Sequence, residues 1–177
     1  MQGNSSAGSV VRPALLVVSP FDKDHAYLRA LFKGSEAEIY GLFDVEDALG
    51  YLGRQPLAVV LCEHEFECRD SWKLLLSGLE SLKQPPELIV ASRLAHAGLW
   101  AEVLNLGGFD LLMKPFDEDE VFRVVNHAFR GWLGKSDKLD LGERCGAVAI
   151  QTGPDDPRPA SSNLGPNVLS NGQGAEK

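Results

Sequence analysis

The stretch AVVLCEHEFECRDSW, Ala58–Trp72, changes character at one residue. Ala58 to Cys62 carry no charge, and Glu63 then follows with His64 and Glu65 behind it. An uncharged apolar run bounded by polar residues fits a strand buried on both faces. A carboxylate at its end is either surface decoration at a strand exit or part of a site where strand ends gather. The rest of the chain decides which.

Working outward, the same kind of run recurs. ALLVV (Ala14–Val18) lies between Pro13 and Pro20, LIVAS (Leu88–Ser92) follows Pro85 and Pro86, and FDLLM (Phe109–Met113) precedes Lys114; EAEIYGL is a weaker strand. Between them lie segments of helical spacing. KDHAYLRALFKG carries Ala26, Leu28, Leu31 and Phe32, with Asp22 as a candidate N-cap and Gly34 as a stop. DVEDALGYLGR starts at a candidate cap, Asp44, and DSWKLLLSGLESL at Asp70 or Ser71. HAGLWAEVLNLGG ends on Gly107–Gly108, and DEDEVFRVVNHAFRGWL opens with acids that complement the helix dipole. Five strands alternating with five helices imply an α/β fold: a doubly wound, five-stranded parallel sheet of flavodoxin-like (βα)5 form. In such sheets the site lies beyond the carboxyl ends of the strands. The positions to inspect are therefore Ser19 and Pro20, Glu63, Ser92 and Lys114.

The chain of 177 residues allows one domain with tails: 1–12 and 134–177 read as mostly disordered, and 13–133 as the folded domain. Within the second tail, GAVAI (Gly146–Ile150) is an apolar island that could dock or form an edge strand. A net charge of -8 argues against general binding to nucleic acid or anionic membrane. Three cysteines in no repeated spacing favour a reducing compartment, and with no signal peptide or membrane span the expectation is a cytoplasmic protein. Cys62, His64 and Cys68 lack the fourth ligand of a closed zinc site, and Cys62 reads more simply as core. The four histidines read as surface residues, and Trp72, Trp100 and Trp132 as packing anchors or, where exposed, a partner surface.

Three features together resemble the receiver domain of two-component response regulators over Pro13 to Trp132: LLMKPF closing the fifth strand, LIVAS ending on the hydroxyl of Ser92, and AVVLCE ending on an acid. The resemblance implies that Glu63 stands at the phospho-acceptor position, normally Asp. It also implies that Ser92, Lys114 and Pro115 line the pocket, that Leu111 takes the place of an aromatic switch residue, and that the metal-binding acidic pair falls on Ser19 and Pro20. A family pocket gathers three carboxylates around one lysine and leaves charge for magnesium. Glu63 and Lys114 alone sum to zero, so no metal is demanded, and one carboxylate does not furnish the oxygens magnesium needs. Lys114 and Ser92 are expected to hydrogen-bond Glu63, which then acts as a fixed substitute for a phosphorylated Asp or as a structural pair with Lys114.

The function implied is a stand-alone, degenerate receiver: a two-component or phosphorelay signalling module, not an enzyme, not switched by phosphate and free of cofactor. It would meet a signalling partner or a second copy through the face of the fourth helix, fifth strand and fifth helix, and would bind neither nucleic acid nor membrane. One alternative is a phosphorylatable receiver using Asp22 or Asp24 for magnesium. Another is a small flavodoxin-like ligand-binding domain or enzyme, although no Gly-rich phosphate loop follows the first strand and no nucleophile–base pair stands out.

Overall fold

The inner strands are almost wholly apolar on both faces because both faces are covered. The computed structural model describes residues 14–66 and 70–146, and side chains as far as Ser136. In chain order the elements are β1 (Ala14–Val18), α1 (Asp22–Leu31), β2 (Glu38–Leu42), α2 (Val45–Tyr51), β3 (Val59–Glu63), α3 (Ser71–Glu80), β4 (Glu87–Ser92), α4 (Ala97–Asn105), β5 (Asp110–Met113) and α5 (Glu118–Gly146). All strand pairs are parallel, in the order β2-β1-β3-β4-β5. This is the doubly wound sheet expected from the alternation of elements.

Alternate residues of each strand feed two cores. Leu16, Val18, Val60, Cys62 and Val90 face Trp72, Leu75 and Leu79 of α3 and Leu99 and Val103 of α4. Leu15, Val17, Val59, Leu61 and Ile89 face Leu28 of α1 and Val121, Val125, Phe129 and Trp132 of α5. Each such side chain contributes about 1.5–3 kcal/mol through burial, and this offsets the ordering of the chain.

The sheet order reverses between β1 and β3, so the connections leave those strands toward opposite faces and open a crevice at their carboxyl ends. The ladder continues one residue past each strand there. Ser19 N–H donates to Leu42 O (3.1 Å), His64 N–H to Ala91 O (2.8 Å) and Lys114 N–H to Ser92 O (2.9 Å). The backbone under the site is thus held by the sheet itself.

Local signals account for most helix ends. Asp44 caps α2 by accepting from Asp47 N–H at 2.7 Å. Gly34 and Gly107 adopt φ values of 93° and 101° beyond α1 and α4, where glycine carries no Cβ penalty. Asp22 does not cap α1: the N-cap is Phe21, without a side-chain bond, and Asp22 is the first helical residue. Asp70 holds the cap position of α3, also without a side-chain bond from the helix amides.

Helix α5 runs beyond Leu133, the expected end of the helix, on to Gly146. KSDKLDLGERC contains no proline, and Lys, Leu, Glu and Arg are good helix formers, so the helix continues where the composition turns polar. Lys135 pairs with Glu87 at 2.6 Å, and Gln84 hydrogen-bonds Ser136, which ties the start of this extension to β4 and the loop before it. The tail of 1–12, residues 147–177, most of the GAVAI island and Cys68 lie outside the described residues. Among the described residues no helix is long and apolar enough to cross a membrane.

The facing of α3 can be tested with neighbouring leucines. Leu75 is fully buried and Leu74 is 59% exposed. Leu75→Ala is expected to lower the unfolding free energy in urea by about 2–5 kcal/mol, whereas Leu74→Ala shifts it by less than about 0.5 kcal/mol. Equal effects would contradict this register.

Candidate functional site

The carboxylate that ends β3 is not decoration. Glu63 is fully buried, so its side chain does not end in water. Its Oε2 accepts from the Nζ of Lys114, which follows β5, and its Oε1 accepts from Glu65 N–H at 2.9 Å. Both oxygens are therefore engaged by this chain's own groups.

A third charged residue joins them. Asp24, in the first turns of α1, is buried and its Oδ2 also accepts from Lys114 Nζ. The same oxygen accepts from Ser19 Oγ at 2.6 Å, and Ser19 Oγ in turn accepts from Phe21 N–H at 3.3 Å. The neutral two-residue pocket expected from Glu63 and Lys114 is thus corrected: two carboxylates surround one ammonium, a formal charge of -1. The reason is helical phase. Asp24 stands four residues before Leu28 and eight before Phe32, so it shares the inner face of α1.

Aromatic rings complete the enclosure. The ammonium of Lys114 lies 5.4 Å from the Phe21 ring centroid and 5.1 Å from that of Phe116, within cation–π range of both. Phe116 stacks on Tyr27 of α1 (5.6 Å), and Arg93 covers Phe21 at 4.8 Å. Lys23, Asp24, Tyr27, Arg93, Lys114 and Phe116 border a cleft of about 360 Å³ beside the charges. The Lys114–Pro115 peptide is cis.

Other expected members take different parts. Ser92 is buried at the end of β4, but its Oγ accepts from Leu94 N–H (3.0 Å) and organises the next loop instead of reaching Glu63. Pro20 is exposed and offers no side-chain oxygen. Leu111 is partly buried and packs on the core of the α3 side. Asp22 opens α1 without reaching the charged cluster. His96 caps α4 by accepting from Leu99 N–H (3.2 Å).

His25 corrects its surface assignment. It is buried, and its Nε2–H donates to the carbonyl of Ser19 (2.8 Å). This leaves Nδ1 without a partner among the described residues, beside Gly41, where an added Cβ would come within 2.6 Å of it. Glycine at 41 is what lets the ring lie against β2. Neither Asp24 nor His25 stands out from composition, because acids and histidines in the first turn of a helix are commonly solvated.

A magnesium ion of the kind the resemblance implies does not suit this donor set. The ion requires near-octahedral oxygen coordination. Glu63 and Asp24 each commit an oxygen to Lys114, Ser19 Oγ is given to Asp24, and position 20 is proline. Among the described residues no three His, Cys, Asp or Glu side chains are grouped to hold a metal.

Two consequences can be measured. Removing one partner of a buried ion cluster leaves uncompensated charge and costs about 3–5 kcal/mol. Lys114→Met is expected to destabilise the chain by that amount in urea titrations, and combining it with Glu63→Gln and Asp24→Asn should restore much of the loss. Beneath the cluster, burial, reinforced by the Glu63 charge, pushes the Cys62 thiol well above the ordinary range, with Lys114 opposing only in part. Cys62 is accordingly expected to resist iodoacetamide at pH 8 in the folded chain and to react on unfolding; rapid native labelling would contradict its enclosure.

No family model matches the chain, and no curated protein does. Solved structures do. The signal receiver domain of an HD domain-containing protein from Pseudomonas fluorescens superposes with a TM-score of 0.65 at 19% identity, covering 75% of this chain and 98% of that one. The receiver domain of the Francisella response regulator 1452 gives 0.59 at 24% identity, covering 67% and 97%. A response regulator from Thermotoga maritima gives 0.61 at 18%, covering 68% and 99%. The chain therefore has the fold of a response-regulator receiver domain, with Glu63 and Lys114 at the carboxyl edge of its sheet.

Proposed function

We propose that this chain is a degenerate receiver that works in two-component or phosphorelay-type signalling by binding other proteins, without being switched by phosphate and without catalysing a reaction. The observation that carries the reading is the full engagement of the Glu63 carboxylate, one oxygen by Lys114 and the other by Glu65 N–H. In-line phosphoryl transfer needs a free oxygen, correct positioning and neutralisation of charge by metal. Here the oxygens are occupied, the side chain is one methylene longer than Asp, and the ammonium already serves as counter-ion. Leu111 has no hydroxyl or ring to report a change in the pocket.

The surface proposed for a signalling partner or a second copy is the α4–β5–α5 face. Trp100, Leu106 and Met113 are all about half exposed there. Trp100 Nε1–H donates to Asp110 Oδ1 at 3.0 Å, which holds the ring against the edge strand. A buried free thiol at Cys62 fits a cytoplasmic setting.

A second reading has one observation in its favour. Asp24 and Glu63 meet at the same ammonium, and a divalent ion that displaced Lys114 would find two carboxylates in place. The two readings separate in one experiment. The full chain is incubated with acetyl phosphate and magnesium, followed by intact-mass measurement and magnesium titration by NMR. No phosphoryl gain and no saturable shift of the Asp24 and Glu63 amides are expected. A phosphoryl group retained on the wild type and lost in Glu63→Gln would overturn the proposal, and saturable magnesium binding abolished by Asp24→Asn would favour the second reading.

A further inference from the structure

Away from the charged pocket, α2, α3 and the loops above them enclose a groove of about 790 Å³. Its walls carry large apolar side chains left in water: Phe43 is 52% exposed, Leu49 37% and Leu74 59%. Phe21 and Phe66 extend this surface toward the strand ends. A contiguous apolar surface on one side of a soluble domain marks an interaction site more often than scattered exposure does.

Among the described residues the rim has one sign. Asp44, Glu46 and Glu65 line the groove, and no Lys or Arg is among its described lining residues. Asp44 uses Oδ1 to cap α2. No hydrogen bond or ion pair engages the carboxylates of Glu46 and Glu65 among the described residues. Acids around an apolar floor, with no Lys or Arg beside them among the described lining residues, complement a ligand that presents apolar groups flanked by positive charge.

We propose that this groove docks an amphipathic helix of a partner protein whose apolar face is bordered by Lys or Arg. The floor is a pair of helices, not a sheet edge, which suits a helix laid in a groove rather than an added strand. Gly78 of α3 holds the pair close: a Cβ there would come within 2.4 Å of Leu49 Cδ2. Other occupants fit less well. A second copy meeting groove to groove would set the same acids against each other. The chain's own residues 147–177 contain two cations, Arg158 and Lys177, against three acids, and no apolar run flanked by positive charge. An anionic membrane is repelled by the rim. The apolar floor and acidic rim are present whether or not Glu63 accepts phosphate, although Phe21 and Glu65 border both sites.

The probe is a labelled synthetic Leu/Lys peptide of amphipathic helical pattern. It is compared with a Leu/Glu peptide of the same pattern and a scrambled Leu/Lys peptide, by fluorescence anisotropy on the full-length chain with NMR mapping. The expected result is saturable binding of the patterned basic peptide alone, with amide shifts at 43–49 and 71–74. Leu74→Glu and, separately, Glu65→Lys should each weaken it by about tenfold, while Glu118→Lys on α5 leaves it unchanged. Both groove positions are exposed or partly exposed, so the second variant serves if the first fails to fold. Equal binding of the scrambled peptide, equal loss with Glu118→Lys, or shifts confined to α4 and β5 would overturn the proposal. So would sedimentation showing that Leu74→Glu dissolves a dimer, or peptide binding that appears only when 147–177 are removed.

Discussion

The ammonium of Lys114 is the point on which the carboxyl edge of this sheet is organised. A lysine can be buried among strand ends only if carboxylates neutralise it and its donors are satisfied. Glu63 and Asp24 do the first, and with the rings of Phe21 and Phe116 they leave little of the head group in water. The three charged residues come from α1, β3 and the segment after β5, so one contact joins the beginning, middle and end of the domain. Ser19 and the amide of Glu65 add the hydrogen bonds that fix the carboxylates in turn.

Glutamate matters at position 63 because of its length. Its side chain leaves the end of β3 with enough reach for one oxygen to meet Lys114 while the other folds back to Glu65 N–H. An aspartate from the same Cα would be shorter by one methylene and would place its oxygens closer to the end of β3. A conformational switch requires two arrangements that a ligand stabilises differently. On the proposed reading the carboxylate, the ammonium and Asp24 already satisfy one another, so a phosphoryl group has no unmet charge to answer. The apolar Leu111, packed into the α3-side core, fits the same reading.

The fold was legible because its strands are extreme. Leu15–Val18 and Val59–Cys62 are apolar at every position, a pattern that suits short strands in a sheet covered on both faces. Glu63 and Lys114 were legible because each ends such a run. Asp24 was legible only as an alternative magnesium ligand beside Asp22, because an acid in the first turn of a helix has an ordinary explanation in the dipole. Its spacing from Leu28 and Phe32 was the available signal, and it becomes decisive only once the rotation of α1 against the sheet is known. His25 hid for a related reason, since its burial depends on the missing side chain of Gly41 on another element. Ser92 shows the opposite case: its position was right, but a hydroxyl has several partners in reach, and a backbone amide two residues on was closer to hand than the carboxylate.

The charged pocket and the apolar groove are joined through Phe21 and Glu65. Phe21 presents its ring to Lys114 and Arg93 and also lines the groove; Glu65 donates its amide to Glu63 while its carboxylate stands on the groove rim. A pocket that is internally satisfied therefore holds two groove residues in place. Preorganised surfaces bind with less ordering cost than mobile ones. In a receiver that exchanges phosphate, changes at the acceptor are transmitted outward to surfaces that partners read. On the proposed reading, the same physical link would run as a static brace: the internal ion cluster would keep the adjoining surface in one shape, and its occupancy would follow from the concentration and charge of the partner.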